Sequence, residues 1–186
     1  MTHFVRGRLA AEAGNVSAAV SELEVFEAAY ANPIVATGVP GYRCWIAPAE
    51  EAAGHPDKAD ALLKSAGTYV DCYRFRADIL DGRGDWPAAQ KAYAEAVALA
   101  PDLPAAYYSW GVALLKHGDL AGAAAKLNAA NQRGPHWADS LKAWGDVLMK
   151  QNNTRDALAK YDEALKYAPN WKQLKEAREA AAKLRT

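Results

Sequence analysis

Small apolar residues recur every 34 residues through the second half of the chain, and a proline closes each period. The recurring positions are Ala89, Ala123 and Ala157; Ala96, Ala130 and Ala164; Pro101, Pro135 and Pro169; and Ala77, Gly111 and Gly145. A period of this length, with small residues where two helices touch and proline where the second helix stops, is typical of stacked helical hairpins. The pattern predicts an all-α fold of antiparallel helical hairpins.

The same pattern divides the chain into segments of one array spanning residues 1–186. The predicted segments are a degenerate hairpin at 1–30, a loop at 31–41, a degenerate hairpin at 42–66, regular repeats at 69–101, 104–135 and 138–169, and a capping helix at 170–185. Two prolines and two glycines disfavour a helix in 31–41, which is interpreted as a connector, with a binding loop as the alternative.

The predicted turns inside the regular repeats have a common chemistry. In two of them a glycine, which accepts a left-handed backbone, is followed by an aspartate, whose side chain caps the next helix. These turns are Gly84-Asp85 and Gly118-Asp119. Asn152-Asn153 replaces glycine by asparagine in the third turn. The last segment is amphipathic, which suits a helix that covers the end of an array. Its apolar stripe consists of Trp171, Leu174, Ala177, Ala181 and Leu184.

Composition and charge exclude several functional classes. Apolar residues make up 51% of the chain, and 22 basic side chains balance 22 acidic ones. A folded chain is therefore expected, without the basic field that attracts nucleic acid. No apolar run approaches the roughly 18 residues of a membrane span. The N-terminus lacks the apolar run of a secretory signal, so a cytoplasmic protein in a reducing compartment is expected.

Neither metal binding nor catalysis is predicted from the titratable residues. The four histidines are scattered, and no Ser-His-Asp order, glycine-rich phosphate loop or cofactor motif is present. The chain is therefore predicted to be non-catalytic and to need no cofactor or metal. Cys44 and Cys72 fall in the first helices of neighbouring hairpins, where buried free thiols are favoured over a disulfide, which demands a narrow geometry.

The six tryptophans divide into periodic and isolated positions. Trp110 and Trp144 recur at the 34-residue spacing, as do Trp137 and Trp171, and this periodicity favours packing between helices. A nucleic-acid stacking surface would also need a basic channel. Trp45 and Trp86 lie outside both pairs, so their side chains are candidates for exposure to solvent.

The repeating residues resemble the tetratricopeptide repeat family, over about residues 70–169. One copy consists of Tyr107, Trp110, Gly111, Leu114, Ala123, Leu127, Ala130 and Pro135. The next consists of Leu141, Trp144, Gly145, Leu148, Ala157, Tyr161, Ala164 and Pro169. In the preceding copy Arg76 and Ala77 replace the leucine and glycine of the family pattern.

The resemblance implies a right-handed α-solenoid whose first helices line a concave groove for protein or peptide segments. The inward residues implied are Arg74 and Asp78, Tyr108 and Val112, and Lys142 and Asp146. The asparagines with which one form of this groove clamps a terminal carboxylate are absent from these positions, and the two carboxylates would repel an acidic tail, so such a clamp is disfavoured.

These observations favour an interaction module that binds a peptide of mixed charge, with Tyr108 as an apolar anchor. The simpler interpretation is that Arg74 pairs with Asp78, and Lys142 with Asp146, as ordinary pairs four residues apart. A regulatory segment of a larger signalling polypeptide is the alternative function. Self-association is a further hypothesis, because apolar surface near Phe4 and Leu9 lacks an evident cap.

Overall fold

The computed structural model describes residues 3–30 and 43–184, and within them the chain forms eleven helices. The helices are α1 (His3–Glu12), α2 (Val16–Tyr30), α3 (Arg43–Ala52), α4 (Pro56–Ser65), α5 (Val70–Gly82), α6 (Trp86–Leu99), α7 (Pro104–Lys116), α8 (Leu120–Arg133), α9 (Ala138–Lys150), α10 (Thr154–Tyr167) and α11 (Lys172–Lys183). The predicted all-α fold is confirmed. The loop predicted at 31–41 lies outside the described residues.

Packing divides the chain into two compact units, Met1–Ala96 and Val97–Thr186. In the first unit α1 packs on α2 and α3 on α4, and in the second unit α7 packs on α8 and α9 on α10. First helices of successive hairpins also touch, with α3 against α5 and α7 against α9. Side chains on one face of two successive first helices therefore lie beside each other within each unit.

The turns follow the chemistry predicted from the sequence. Gly118 has a φ of 81°, and the Asp119 carboxylate accepts a hydrogen bond of 2.8 Å from the Gly122 backbone N–H. Asn152 takes the same left-handed conformation with a φ of 59°, and the Asn153 side chain caps α10. Local residue choice thus sets where each helix ends and the next begins.

The small residues predicted at helix contacts lie where two backbones approach closely. A Cβ atom added to Gly111 would lie 2.7 Å from Leu127 Cγ and 3.3 Å from the Leu127 backbone nitrogen. Gly7 bears the same relation to Leu23 in the first hairpin, where a Cβ atom would lie 2.5 Å from Leu23 Cγ. The hairpin that looks degenerate in sequence therefore keeps the same close contact.

A Gly111→Ala variant is expected to be destabilised by about 1–3 kcal/mol, because α8 presents backbone as well as side chain at that point. Gly82→Ala is the matched control, since a Cβ atom there meets nothing within 4 Å. Alanine favours the helix, so the control is expected to be neutral or stabilised by up to about 1 kcal/mol. Urea unfolding measures both; equal effects of the two substitutions would contradict the packing described.

Each unit has its own apolar core. Leu23, Ile46 and Leu63 are buried in the first unit. Leu141, Tyr161 and Leu174 are buried in the second. Helix α11 packs against α10 and buries Leu174 and Ala181 of its predicted stripe. Leu184, which ends that stripe in the sequence, is 72% exposed because it caps the helix beyond its last turn.

The expectation of free thiols at Cys44 and Cys72 is wrong, because the two residues form a disulfide. They occupy α3 and α5, which pack directly on each other, and their Cα atoms are 4.9 Å apart. That separation lies inside the range that a disulfide requires. The bridge therefore joins two hairpins of the first unit and removes both thiols from the core.

A buried carboxylate, Glu50, forms an ion pair inside the α3–α4 hairpin, and its lysine partner also contacts the first hairpin. Glu50 has no exposed surface, and its oxygens lie 2.7 Å from Lys58 Nζ and 2.9 Å from His55 Nδ1. The contact with Lys58 is an ion pair without hydrogen-bond geometry, because Oε1 of Glu50 accepts no well-directed hydrogen bond. Lys58 also contacts Glu24 on α2 at 2.8 Å. A buried carboxylate is costly without such cations, so Lys58 and His55 stabilise Glu50 within the hairpin, while the exposed contact with Glu24 adds a weaker link to α2.

Candidate binding face

Four of the six predicted groove residues lie on α7 and α9 of the second unit. Tyr108 and Val112 are one turn apart on α7, and Lys142 and Asp146 are one turn apart on α9. We call these four residues the α7–α9 face. Because α7 packs against α9, the two pairs lie on neighbouring helices of one compact unit.

Tyr108 is held in place by an aromatic neighbour. Its ring lies 4.6 Å from the ring of Trp137, centroid to centroid, and the two planes are tilted by 48°. Trp137 is the N-cap residue of α9, so this contact also ties α7 to the start of the next first helix. Aromatic pairs in this arrangement are typically worth about 0.5–1.5 kcal/mol beyond burial alone. The Tyr108 side chain is therefore oriented before any partner arrives.

Lys142 and Asp146 form the ion pair predicted four residues apart, with Nζ 2.8 Å from Oδ2. The other carboxylate oxygen of Asp146 accepts a hydrogen bond of 2.8 Å from the Tyr161 hydroxyl on α10. The Lys142 ammonium also lies 6.0 Å from the ring centroid of Trp171. Both charges are thus fixed by neighbours, and the pair as a whole is close to neutral.

A hydrogen bond between an aspartate on a first helix and a tyrosine fifteen residues later occurs in two repeats. This bond was not predicted from the sequence. Asp146 and Tyr161 form it in the second unit, and Asp78 and Tyr93 form it in the first, with an oxygen-to-oxygen distance of 2.6 Å. At the equivalent positions of the intervening repeat both partners are apolar, namely Val112 and Leu127. Replacing both partners together leaves no buried polar group unsatisfied. As a result, the residue beside Tyr108 on α7 is Val112, whose side chain is 38% exposed.

Arg74 and Asp78, the other two predicted residues, lie on α5 in the first unit. Arg74 forms its ion pair with Asp71, at 3.3 Å, rather than the predicted pair with Asp78. Its guanidinium group also lies 4.2 Å from the ring centroid of Phe75. Asp78 accepts the Tyr93 hydroxyl from the second helix of the hairpin, and the charge of Arg74 also acts on this carboxylate.

The pKa of the Asp78 carboxyl group is raised above its usual value, although the residue is exposed by surface area. Desolvation by the surrounding protein is the largest cause, and it outweighs the hydrogen bond from Tyr93 and the charge of Arg74, which both lower the pKa. The Tyr93 hydroxyl is shifted in the same direction: burial is the main cause that raises its pKa, followed by the adjacent Asp78 charge. Both pKa values are therefore shifted in the direction that favours the protonated form.

Because the folded-state pKa of Asp78 is raised, its contribution to stability is present below the unfolded pKa of about 3.9 and is lost as pH rises through the folded pKa. Asp78→Asn keeps an oxygen that can accept from Tyr93 but removes the charge. The variant is therefore expected to gain stability relative to the unmodified protein as pH rises from about 3 to about 7. Urea unfolding across that range measures the difference; a constant or falling difference would contradict this pKa shift.

Packing roles account for the periodic tryptophans. Lys126 Nζ lies 3.5 Å from the ring centroid of Trp110, and Lys160 Nζ lies 4.3 Å from that of Trp144. Desolvation lowers the pKa of the Lys126 ammonium group. Trp45, for which exposure was possible, is partly buried: its ring lies 4.2 Å from the Arg8 guanidinium group and 4.9 Å from the Phe75 ring.

Across the described residues, no three His, Cys, Asp or Glu side chains are grouped closely enough to hold a metal ion. No helix within 3–30 or 43–184 is long and apolar enough to cross a membrane. The α7–α9 face presents one aromatic, one aliphatic and two oppositely charged side chains.

Two tetratricopeptide repeat models match the chain, one over residues 76–136 and the other over residues 138–171. Together they span more than half of the sequence and include all of the α7–α9 face. The chain belongs to the tetratricopeptide repeat family. No curated protein matches the chain.

Three solved structures with the same fold cover between 62% and 97% of the chain. TTC0263, a thermophilic TPR protein of Thermus thermophilus, has a TM-score of 0.77 at 19% identity and covers 97% of both chains. YrrB, a TPR protein with an unusual peptide-binding site, has a TM-score of 0.61 at 16% identity and covers 95% of this chain and 90% of its own. The TPR2B domain of yeast Sti1, solved in complex with pHsp70, has a TM-score of 0.58 at 21% identity, over 62% of this chain and 97% of that domain. Similarity at this level establishes the fold.

Proposed function

We propose that this protein is a non-catalytic interaction module that binds a peptide segment on its α7–α9 face. One observation carries the proposal: Tyr108 and Lys142 are already oriented by Trp137, Asp146 and Trp171, next to the exposed side chain of Val112. Side chains fixed before binding lose little conformational entropy when a partner arrives. Such preorganised aromatic residues are common anchors in protein interfaces.

The chemistry of the face defines the kind of segment that fits it. Tyr108 and Val112 offer an apolar surface for one large aliphatic or aromatic side chain of the partner. Lys142 and Asp146 neutralise each other, so the face offers one cation and one anion rather than a single strong charge. A segment of mixed charge with an apolar anchor is therefore expected to bind better than an acidic tail.

Two related structures support a peptide as the partner. The Sti1 domain was solved as a complex with pHsp70, and YrrB is described as having an unusual peptide-binding site. The predicted clamp for an acidic terminus is still disfavoured for this chain, because its asparagines are absent and Asp146 is present. The partner of this face accordingly differs in charge from the tail that such a clamp binds.

The proposal predicts that peptides selected on the protein from a random displayed library carry a large apolar residue and lose affinity on substitution of the face. Tyr108→Ala is expected to weaken binding at least about tenfold, as is typical of an interface anchor. Lys166→Ala, an exposed substitution on α10, is the control and is expected to leave affinity unchanged. Fluorescence anisotropy measures both. Equal affinity of the Tyr108 and Lys166 variants would reject this face as the site.

Self-association is a second candidate function, supported by apolar exposure on the first hairpin. Val5 and Leu9, one turn apart on α1, are 41% and 51% exposed. Phe4, which the sequence reading grouped with Leu9, instead packs against the core of the first unit. Leu9→Lys is expected to abolish any concentration-dependent association measured by light scattering, and a monomer at high concentration would reject this function.

The compartment proposed for the protein differs from the cytoplasmic expectation. Disulfides persist in oxidising compartments and are rare where thioredoxin and glutathione keep thiols reduced. The bond between Cys44 and Cys72 therefore favours a disulfide-permitting compartment. Its oxidation state in the native source tests this directly, by alkylation before and after reduction.

A further inference from the structure

A small cavity borders Cys72 of the Cys44–Cys72 disulfide. It has a volume of about 180 Å³ and lies where α4 meets α5. Its walls are formed by Leu63, Lys64, Gly67, Cys72, Tyr73 and Arg76. Cys72 is 2% exposed and lines the cavity, whereas Cys44 has no exposed surface and does not line it. Of the two cysteines in the bond, Cys72 is therefore the one that borders the cavity.

The charged groups that line this cavity are both cations. Lys64 comes from the last turn of α4, and Arg76 comes from α5, with its guanidinium group 5.7 Å from the ring centroid of Tyr73. No carboxylate lines the cavity, and neither cation has a carboxylate partner among the described residues. A cleft with one sign of charge attracts small ions of the other sign and raises their local concentration.

We propose that this cavity is a site where small anionic thiols react with the disulfide at Cys72. The incoming thiolate attacks Cys72 Sγ and forms a mixed disulfide there. The Cys44–Cys72 bond breaks, and its electron pair leaves on Cys44 Sγ, which then takes a proton from water. A second molecule of the same thiol attacks the mixed disulfide and releases Cys72, so two thiols are oxidised and the protein disulfide is reduced.

Each part of this reaction has a counterpart in the structure. Lys64 and Arg76 attract the anionic group of the thiol and stabilise the approaching thiolate. Because Cys44 is fully enclosed, attack is directed to Cys72 rather than to Cys44. Opening of the bond removes the covalent link between α3 and α5 and leaves their packing, including the contact between Trp45 and Phe75, to hold them together.

The test uses the unmodified protein and three thiols that share a two-carbon skeleton but differ in charge: 2-mercaptoethanesulfonate, 2-mercaptoethanol and cysteamine. Each rate of disulfide opening is divided by the rate of the same thiol on a small uncharged disulfide, which removes differences in intrinsic reactivity. The anionic thiol is expected to react about tenfold faster than the cationic one after this correction. Quenching with acid and peptide mapping by mass spectrometry are expected to place the mixed disulfide on Cys72.

Variants separate the cavity charges from the overall charge of the protein. The double substitution Lys64→Gln and Arg76→Gln is expected to remove the preference for the anionic thiol. Lys91→Gln, an exposed lysine on α6, removes a charge outside the cavity and is expected to keep the preference. The comparison of thiols on the unmodified protein needs no variant, so it remains decisive even if the double variant folds poorly.

Three results would overturn the proposal. Equal corrected rates for the three thiols would show that the cations do not guide the reaction. A mixed disulfide on Cys44 would show that the cavity is not the route of attack. Opening that occurs only at the rate of global unfolding, for all three thiols, would leave the bond a purely structural link.

Discussion

Replacement of Cys44 and Cys72 by alanine is expected to lower the free energy of unfolding of the helices that they join by about 3–4 kcal/mol. The bond links residues 28 apart, and closing a loop of that length in the unfolded chain removes much of its conformational entropy. The expected effect follows from loop length together with burial of both residues. Amide hydrogen exchange measures it, as a loss of protection centred on α3 and α5.

Reduction of the unmodified protein is the control for that substitution. Dithiothreitol opens the same link without changing any side-chain volume, so it is expected to reproduce the loss of protection at α3 and α5. If the double variant and the reduced protein both exchange as slowly as the oxidised protein, the bond contributes nothing to the first unit and the account given for it fails.

The second large effect is expected in the core of the second unit. Leu141 has no exposed surface and packs in one cluster with Tyr161 and Leu174. Leu141→Ala removes three carbon atoms from this cluster and leaves a cavity, so a loss of about 2–5 kcal/mol is expected. The measurement is urea unfolding followed by far-ultraviolet circular dichroism.

A leucine from the same unit supplies the comparison for Leu141. Leu184 is 72% exposed, and Leu184→Ala is expected to change the free energy of unfolding by no more than about 0.5 kcal/mol. The contrast tests burial alone, because both substitutions remove the same atoms. Similar losses in the two variants would mean that the repeat packing around Leu141 is not as described.

The fold could be predicted from the sequence because its determinants are local and repeated. In each regular repeat, a glycine or asparagine with a left-handed backbone, as at Gly118 and Asn152, is followed by a capping side chain that fixes the bend without reference to distant residues. The 34-residue period then tells which positions must be small. Gly111 shows how strict that requirement is, since α8 leaves no room for a Cβ atom.

The disulfide could not be predicted in the same way, because it depends on the distance between helices of different hairpins. Cys44 and Cys72 break the 34-residue period, so the repeat pattern carries no information about their separation. Only the packing of α3 on α5 brings their Cα atoms to 4.9 Å.

The partners of the groove residues were predicted only in part, because several pairings were compatible with one helix. Arg74 can reach a carboxylate three residues before it or four residues after it, and spacing alone does not choose between them. In the structure Arg74 pairs with Asp71, and Asp78 accepts the Tyr93 hydroxyl from α6. The sequence does contain a signal for this pairing, since aspartate and tyrosine change together to Val112 and Leu127 at the same spacing of fifteen residues.

Nuclear magnetic resonance of the labelled protein with a selected peptide tests whether the α7–α9 face binds a peptide. If the peptide binds there, the largest chemical-shift changes are expected at Tyr108, Val112 and Lys142. No change of that size is expected on the exposed surfaces of α8 and α10. The changes are also expected to disappear with a peptide whose apolar anchor is replaced by serine. Changes confined to α8 and α10, with the α7–α9 face unaffected at saturating peptide, would contradict the account.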